Sequence, residues 1–215
     1  MKFINAHDDW QINDVKFSPL NPSLLITSGS DGFFKLWDLR DKGYKCALQC
    51  KSSDNELNCA SLNNVNPNLV VAAGDQSGAI SVWDIRLPHT SINTVNFHKS
   101  QVTCVEWHPT QEQVFMSGGD DGAVYIWDNS KNGEEQGRHD YEDGPPEMVA
   151  SNDEGHASMI EDVCWQPNAD PRLFPMIASA ENERVVQIWK PKEDFFIDPI
   201  DDIAFVDRIA ETDLE

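Results

Sequence analysis

Very little in this chain could hold a membrane, a nucleic acid or a reaction intermediate. No run of about 18 apolar residues occurs in its 215 residues, so nothing reads as a membrane-spanning helix. The opening residues, Met1-Lys2-Phe3-Ile4-Asn5-Ala6-His7, lack the apolar stretch of a secretion signal. Positive charge is scarce: 16 Lys and Arg stand against 37 Asp and Glu, a formal net charge of −21. Nucleic acids and anionic membranes both need a basic surface, so the balance argues against either and suits a basic partner, with plain solubility as the alternative. Cysteine is sparse and unpaired in pattern. Cys46, Cys50, Cys59, Cys104 and Cys164 are odd in number and scattered, with no CxxC. Cys59, Cys104 and Cys164 fall in strand-like stretches and are expected to be buried free thiols of a reducing compartment.

Catalytic motifs are absent too. There is no GxSxG, no HExxH, no GxxxxGK[ST] phosphate loop and no Cys/His cluster at zinc spacing. Adjacent acids such as Asp120/Asp121 and Asp201/Asp202 read as solvated turns. The expectation is a protein without enzymatic activity, cofactor, metal or small-molecule substrate.

What the chain does have is one phrase written four times. Ser30-Asp31-Gly32-Phe33-Phe34-Lys35-Leu36-Trp37-Asp38 recurs as Gln76-Ser77-Gly78-Ala79-Ile80-Ser81-Val82-Trp83-Asp84 and as Asp120-Asp121-Gly122-Ala123-Val124-Tyr125-Ile126-Trp127-Asp128. A looser copy is Glu183-Arg184-Val185-Val186-Gln187-Ile188-Trp189. The tryptophans are 46, 44 and 62 residues apart. The first two spacings match the roughly 40–45-residue period of WD repeats, and the third is that period plus an insertion. The fold class is therefore all-β, a WD-repeat β-propeller with four blades present.

Each repeat reads as three strands and a less regular fourth. In the first, 12–17 alternates apolar and polar residues, 24–28 and 33–37 follow as second and third strands, and 44–50 serves as the outer one. Ser18-Pro19-Leu20-Asn21-Pro22 is a turn, because proline fixes φ and cannot donate to a ladder. Ser30-Asp31-Gly32 is a tight turn in which Gly32 is free to take positive φ. The pattern repeats at 57–62, 69–73 and 79–83, at 102–107, 114–117 and 123–127, and at 160–165, 176–179 and 185–189. Residues 1–191 thus divide into blades at 5–50, 54–97, 98–154 and 156–191, with an acidic loop insertion at 129–155. Residues 192–215 form an acidic tail.

His7, His98 and His156 stand about 30 residues before the tryptophan of their blade. This resembles the His–Ser/Thr–Asp–Trp tetrad of WD repeats, represented by His98, Ser117, Asp121 and Trp127. The second repeat has Ser53-Asp54 where a histidine would stand, so its tetrad is incomplete.

The insertion is the specific part. Gly133-Glu134-Glu135-Gln136 precedes Tyr141-Glu142-Asp143-Gly144-Pro145-Pro146-Glu147-Met148-Val149, and Gly155-His156 leads to Trp165-Gln166-Pro167-Asn168. These pieces closely resemble the histone-binding WD-repeat family, the retinoblastoma-binding and Msi-like small subunits of chromatin assembly factor and of histone acetyltransferase, deacetylase and Polycomb complexes. The resemblance covers most of residues 5–196 and implies a seven-bladed ring of which this chain matches the last four blades. A fragment, a truncated product or self-association would each account for the incomplete ring.

The resemblance also implies non-enzymatic scaffold or chaperone work in the nucleus, with the cytoplasm as a second compartment. Histone H4 would lay its first helix against Glu142, Asp143, Gly144, Pro145, Pro146, Glu147, Met148 and Val149. Histone H3 and basic cofactor peptides would meet top-face acids at Asp31, Glu56, Asp121 and Glu181. Prolines hold such a loop extended at low entropic cost, its carboxylates suit arginine, and Met148 and Val149 suit a helix face. Two departures stand out. No counterpart of the family's N-terminal groove helix is present, and Ser100-Gln101 replaces an acidic pair.

Two rivals share parts of the pattern. Glutamate-rich WD-repeat proteins of ribosome assembly have phrases like Val105-Glu106-Trp107-His108-Pro109. Trp37-Asp38-Leu39-Arg40 and Trp83-Asp84-Ile85-Arg86 match the WDxR motif of cullin-ligase substrate receptors.

Overall fold

The computed structural model describes residues 6–43, 45–74, 77–132, 146–152, 156–167, 175–191 and 204–208. Its strands form four separate four-stranded antiparallel sheets. Blade 1 consists of β1 (Ile12–Phe17), β2 (Leu24–Gly29), β3 (Phe33–Asp38) and β4 (Cys46–Lys51). Blade 2 consists of β5 (Leu57–Leu62), β6 (Leu69–Gly74), β7 (Ala79–Asp84) and β8 (Asn93–Asn96). Blade 3 consists of β9 (Val102–Trp107), β10 (Val114–Gly119), β11 (Val124–Asn132) and β12 (Pro146–Asn152). Blade 4 consists of β13 (Ile160–Trp165), β14 (Ile177–Glu181), β15 (Val186–Lys190) and β16 (Ala204–Arg208). Each sheet runs in sequence order, the meander of a propeller blade.

The first three strands of every blade fall where the repeat predicts them, within two residues at most ends. Of the outer strands, β4 agrees with the predicted 44–50 to within two residues, and the others differ. β11 runs on to Asn132 and β12 begins at Pro146, so 146–152, part of the predicted loop insertion, is strand. Within the segment read as an acidic tail, Ala204–Arg208 pairs with β15 and completes the fourth sheet.

The blades pack face to face through three apolar layers. Ile26, Phe34 and Leu36 of blade 1 meet Leu57, Leu62 and Trp83 of blade 2. Ile80 and Val82 of blade 2 meet Val105, Trp107, Phe115 and Trp127 of blade 3. Met116, Val124 and Ile126 of blade 3 meet Val163, Trp165, Ile177 and Trp189 of blade 4. Side chains alternate across a strand, so each blade offers a leading face, bearing its tryptophan, and a trailing face.

Polar links repeat with the packing. Asn13 Nδ2 donates to the Leu57 carbonyl at 3.0 Å, Asn58 Nδ2 to the Val102 carbonyl at 2.8 Å, and Thr103 Oγ1 to the Ile160 carbonyl at 2.5 Å. The second residue of each inner strand thereby ties its blade to the next. The tight turns do the same by close approach. Gly32, Gly78 and Gly122 have φ of 78°, 69° and 75°, and a Cβ on Gly78 would stand 2.3 Å from the His98 carbonyl. Only glycine permits that conformation and that contact together.

Candidate partner-binding site

The structure fixes the histidines first. In blade 3, His98 Nδ1 lies 3.0 Å from both Asp121 carboxylate oxygens and His98 Nε2 lies 2.8 Å from Ser117 Oγ. Trp127 Nε1 donates to the same hydroxyl at 2.9 Å. A hydroxyl that accepts from the indole is free to donate to Nε2, so the neutral ring with its proton on Nδ1 satisfies every member. Blade 1 repeats this with His7, Asp31, Thr27 and Trp37 at 2.7 to 2.9 Å. Blade 4 repeats it with His156, Ser179, Trp189 and a glutamate, Glu181, at 2.6 to 3.2 Å. Blade 2 has no histidine there, and Trp83 Nε1 donates to Ser81 Oγ, 2.6 Å from Ser52 Oγ. These are buried scaffold networks.

That geometry sorts the four expected top-face acids. Asp31, Asp121 and Glu181 each spend a carboxylate oxygen on a histidine. Burial would raise the pKa of Asp31, but hydrogen bonds from His7, the Phe33 N–H and Lys35 outweigh it and hold the carboxyl below its usual value. Asp121 is likewise held low: burial is outweighed by His98 and by the N–H groups of Lys99 and Ala123. Of the four, Glu56 alone is exposed. All four stand at one end of the blades, at or beside the β2–β3-type turns and the connections between blades.

The described part of the predicted loop site, Pro146 to Val149, starts at the opposite end of blade 3. Glu142, Asp143, Gly144 and Pro145 lie outside the described residues. Pro146, Glu147, Met148 and Val149 are on β12, where Pro146 pairs with Asn132, Glu147 with Asp128 and Met148 with Trp127. Pro146 is buried. Met148 packs on the blade 2–blade 3 layer, and Val149 on the opposite, blade 3–blade 4 layer. A strand whose two faces are both committed to packing is a firm anchor for the acidic residues that precede it.

A further charged cluster lines the inner strands, and its members were not singled out in the sequence. Lys16 Nζ of blade 1 donates to the Val105 carbonyl of blade 3 at 3.0 Å and lies 3.5 Å from Asp14. Glu106 accepts the Trp165 N–H at 3.2 Å. Burial pushes the Glu106 carboxyl up to about 7 against the pull of Lys16, with Asp162 adding to the rise. The only sequence signal was the charged residues Asp14, Lys16, Glu106 and Asp162 inside strands 12–17, 102–107 and 160–165. Among the described residues, no group of three or more His, Cys, Asp or Glu is placed to hold a metal.

One expectation about thiols is corrected. Cys59 and Cys104 are buried, but Cys164 is exposed, because it is on the side of blade 4 that no neighbouring blade covers.

The four blade sheets and their tetrads make this a WD-type propeller, and comparison with known proteins refines that. The signature of the family described as Nucleolar protein 10-like, N-terminal domain, a β-propeller, matches residues 2–168. The chain belongs to that family. Its similarity to the histone-binding WD-repeat proteins also holds. It is 31% identical to the histone acetyltransferase type B subunit 2 of Candida glabrata, over 87% of this chain and 42% of the relative. It is 29% identical to the histone-binding protein MSI1 of Saccharomyces cerevisiae, over 86% of this chain and 39% of that protein. The chain thus spans about two fifths of the length of these curated relatives. A chain in the crystal structure of the mitotic checkpoint complex superposes with a TM-score of 0.66 at 20% identity. That match covers 85% of this propeller chain and 48% of the other, and it speaks to the fold alone.

Proposed function

We propose that this propeller is a non-enzymatic histone-binding scaffold, a chaperone-type subunit of chromatin assembly and of histone acetyltransferase, deacetylase or Polycomb complexes. The observation that carries the reading is the anchoring of the acidic Pro-Pro segment. β12 is packed into blade 3 on both faces, and Glu142 and Asp143 stand just before it in the sequence. An acidic segment that leads into such a strand suits an arginine-bearing helix such as that of histone H4, through charge-assisted pairs. Glu56, with the partly committed acids Asp31, Asp121 and Glu181, suits the basic tail of histone H3 at the other end. The relatives' names, one a histone acetyltransferase subunit and one a histone-binding protein, support the same partner class. Such work belongs in the nucleus, with transit through the cytoplasm.

The family's nucleolar description favours a second reading, assembly of basic ribosomal proteins. A pull-down with the purified chain against core histones, ribosomal proteins and a cullin-ligase adaptor separates the cases. Retention of H3–H4 is expected. Retention of ribosomal protein or adaptor without histone would overturn the proposal.

A further inference from the structure

Blade 2 is tied to the connection that enters it by different chemistry from blades 1, 3 and 4. In those three an imidazole bridges the connection to the blade. His98 Nδ1 meets Asp121 at 3.0 Å and its Nε2 meets Ser117 Oγ at 2.8 Å, and the Lys99 N–H adds a third bond, to Asp121 at 2.8 Å. His156 and the Ala157 N–H do the same with Glu181 and Ser179, at 2.6 to 3.1 Å. His7 bridges Asp31 and Thr27 at 2.8 and 2.7 Å. Bonds to an ionised carboxylate are about twice as strong as neutral ones.

In blade 2, Ser53 stands where the imidazole would, and its hydroxyl turns back to accept its own neighbour's N–H, that of Asn55, at 3.0 Å. Ala72 pairs with Ser81 at the register position that Thr27, Ser117 and Ser179 fill in the other blades, and alanine offers no hydroxyl. A neutral pair spans the gap instead: Ser52 Oγ and Ser81 Oγ are 2.6 Å apart, and Ser81 also takes the Trp83 indole N–H at 2.8 Å. The same connection is held firmly from its other side. The Ser52 and Ser53 N–H groups both donate to the Gly32 carbonyl, at 2.9 and 3.2 Å, which prolongs the β3–β4 ladder of blade 1. Among the described residues blade 2 also has the shortest outer strand, four residues in β8 against six in β4 and seven in β12.

From this we infer that blade 2 is the compliant blade of the arc: its top opens from the 52–56 connection, which stays with blade 1, while the top of blade 3 stays closed. Opening of this kind is a local unfolding, and it starts where a structure is least bonded. The exposed acids Asp54 and Glu56 are carried on that connection, so the opening sets the gap between them and blade 2. The inference needs no histone or other partner. Blades 2 and 3 each have a blade packed on either side, so a comparison of the two is free of end effects.

Hydrogen exchange of the full chain, read by mass spectrometry and corrected for intrinsic rates, tests it. Residues 79–84 and 124–128 lie on the third strands of their sheets. The first set should exchange at least tenfold faster, because one charge-assisted bond corresponds to roughly tenfold or more in an opening equilibrium. His98→Ser should raise the rate of 124–128 at least tenfold and leave 79–84 unchanged. Ser77 precedes Gly78 as Asp121 precedes Gly122, so Ser53→His, Ala72→Ser and Ser77→Asp together restore the residue types of blade 3. That triple variant should slow 79–84 and leave 124–128 unchanged. Equal rates for the two strands in the parent would overturn the inference whether or not either variant folds. So would His98→Ser speeding both strands alike, or a folded triple variant in which 79–84 is no slower.

Discussion

Trp127→Ala is the sharpest probe of how the blades are held together. The indole is buried between blades 2 and 3, stacked on Phe115 at 6.3 Å and edge-on to Phe97 at 5.7 Å, and its Nε1 donates to Ser117 Oγ at 2.9 Å. Truncating a buried tryptophan to alanine costs about 3–5 kcal/mol, through lost burial and the cavity left behind. Trp127→Phe keeps an aromatic ring in the layer and removes the N–H, so it should cost about 1–2 kcal/mol. In a chain of this size each kcal/mol shifts the melting temperature by roughly 2–4 °C. Calorimetry should then show a drop of roughly 6–20 °C for Trp127→Ala and roughly 2–8 °C for Trp127→Phe. Ser117→Ala, which removes the shared hydroxyl and leaves His98 Nε2 without that donor, should fall between them. If Trp127→Ala melted like the parent and lost a partner instead, the tryptophans would be ligand-stacking residues and the reasoning would fail.

Other expectations follow from the same contacts. Glu106 titrates near 7 in the folded chain, above its ordinary value of 4.5. Its contribution to stability is complete below about pH 4.5 and is lost as pH rises through 7, on the order of 3 kcal/mol. Thermal melts at pH 5 and pH 8 should show Glu106→Gln gaining on the parent at the higher pH, and an equal difference at both would refute the assignment. Gly78→Ala meets backbone carbonyls at 2.3 and 2.9 Å, whereas Gly122→Ala meets them at 3.2 and 3.3 Å, so denaturant titration should find the first clearly more destabilising. Both carry the strain of a positive φ, about 1–3 kcal/mol. Asp121→Asn should lower stability by about 1–3 kcal/mol, because the buried His98 loses an ionised partner. Glu56→Gln should leave the melt unchanged and weaken only an H3 tail peptide, as read by calorimetric titration.

Repetition made the fold readable. The Trp-Asp landmark and the period-2 alternation place twelve strands, because the inner three strands of a blade carry both signals. Three of the four outer strands escaped because they carry neither. Asn93–Asn96 is four residues with a single apolar side chain, Pro146–Asn152 opens on a proline, and Ala204–Arg208 is embedded in an acidic segment. Their strand character comes from pairing with β7, β11 and β15, which is a long-range fact. The candidate sites were legible as composition but not as orientation. Asp121 reads as a tetrad partner of His98 as well as a top-face acid, and it pairs with His98. Glu181, which reads only as a surface acid, is turned inward to His156, because alternation alone cannot say which face of a strand meets a neighbour. Lys16 acts on the charge of Glu106 only because the fold brings β1 and β9 together.

The acidic loop is the proposed seat of histone binding. The direct measurement is a titration of an H4 helix peptide into the parent and into Glu142→Ala/Asp143→Ala at moderate salt. Charge-assisted hydrogen bonds contribute about 1.5–3 kcal/mol each when shielded, and every 1.4 kcal/mol is tenfold in affinity. The double variant should therefore bind at least about a hundredfold more weakly, and the parent's affinity should fall as salt screens the exposed pairs over about 8 Å. Equal affinity of the two proteins for the peptide would contradict the claim.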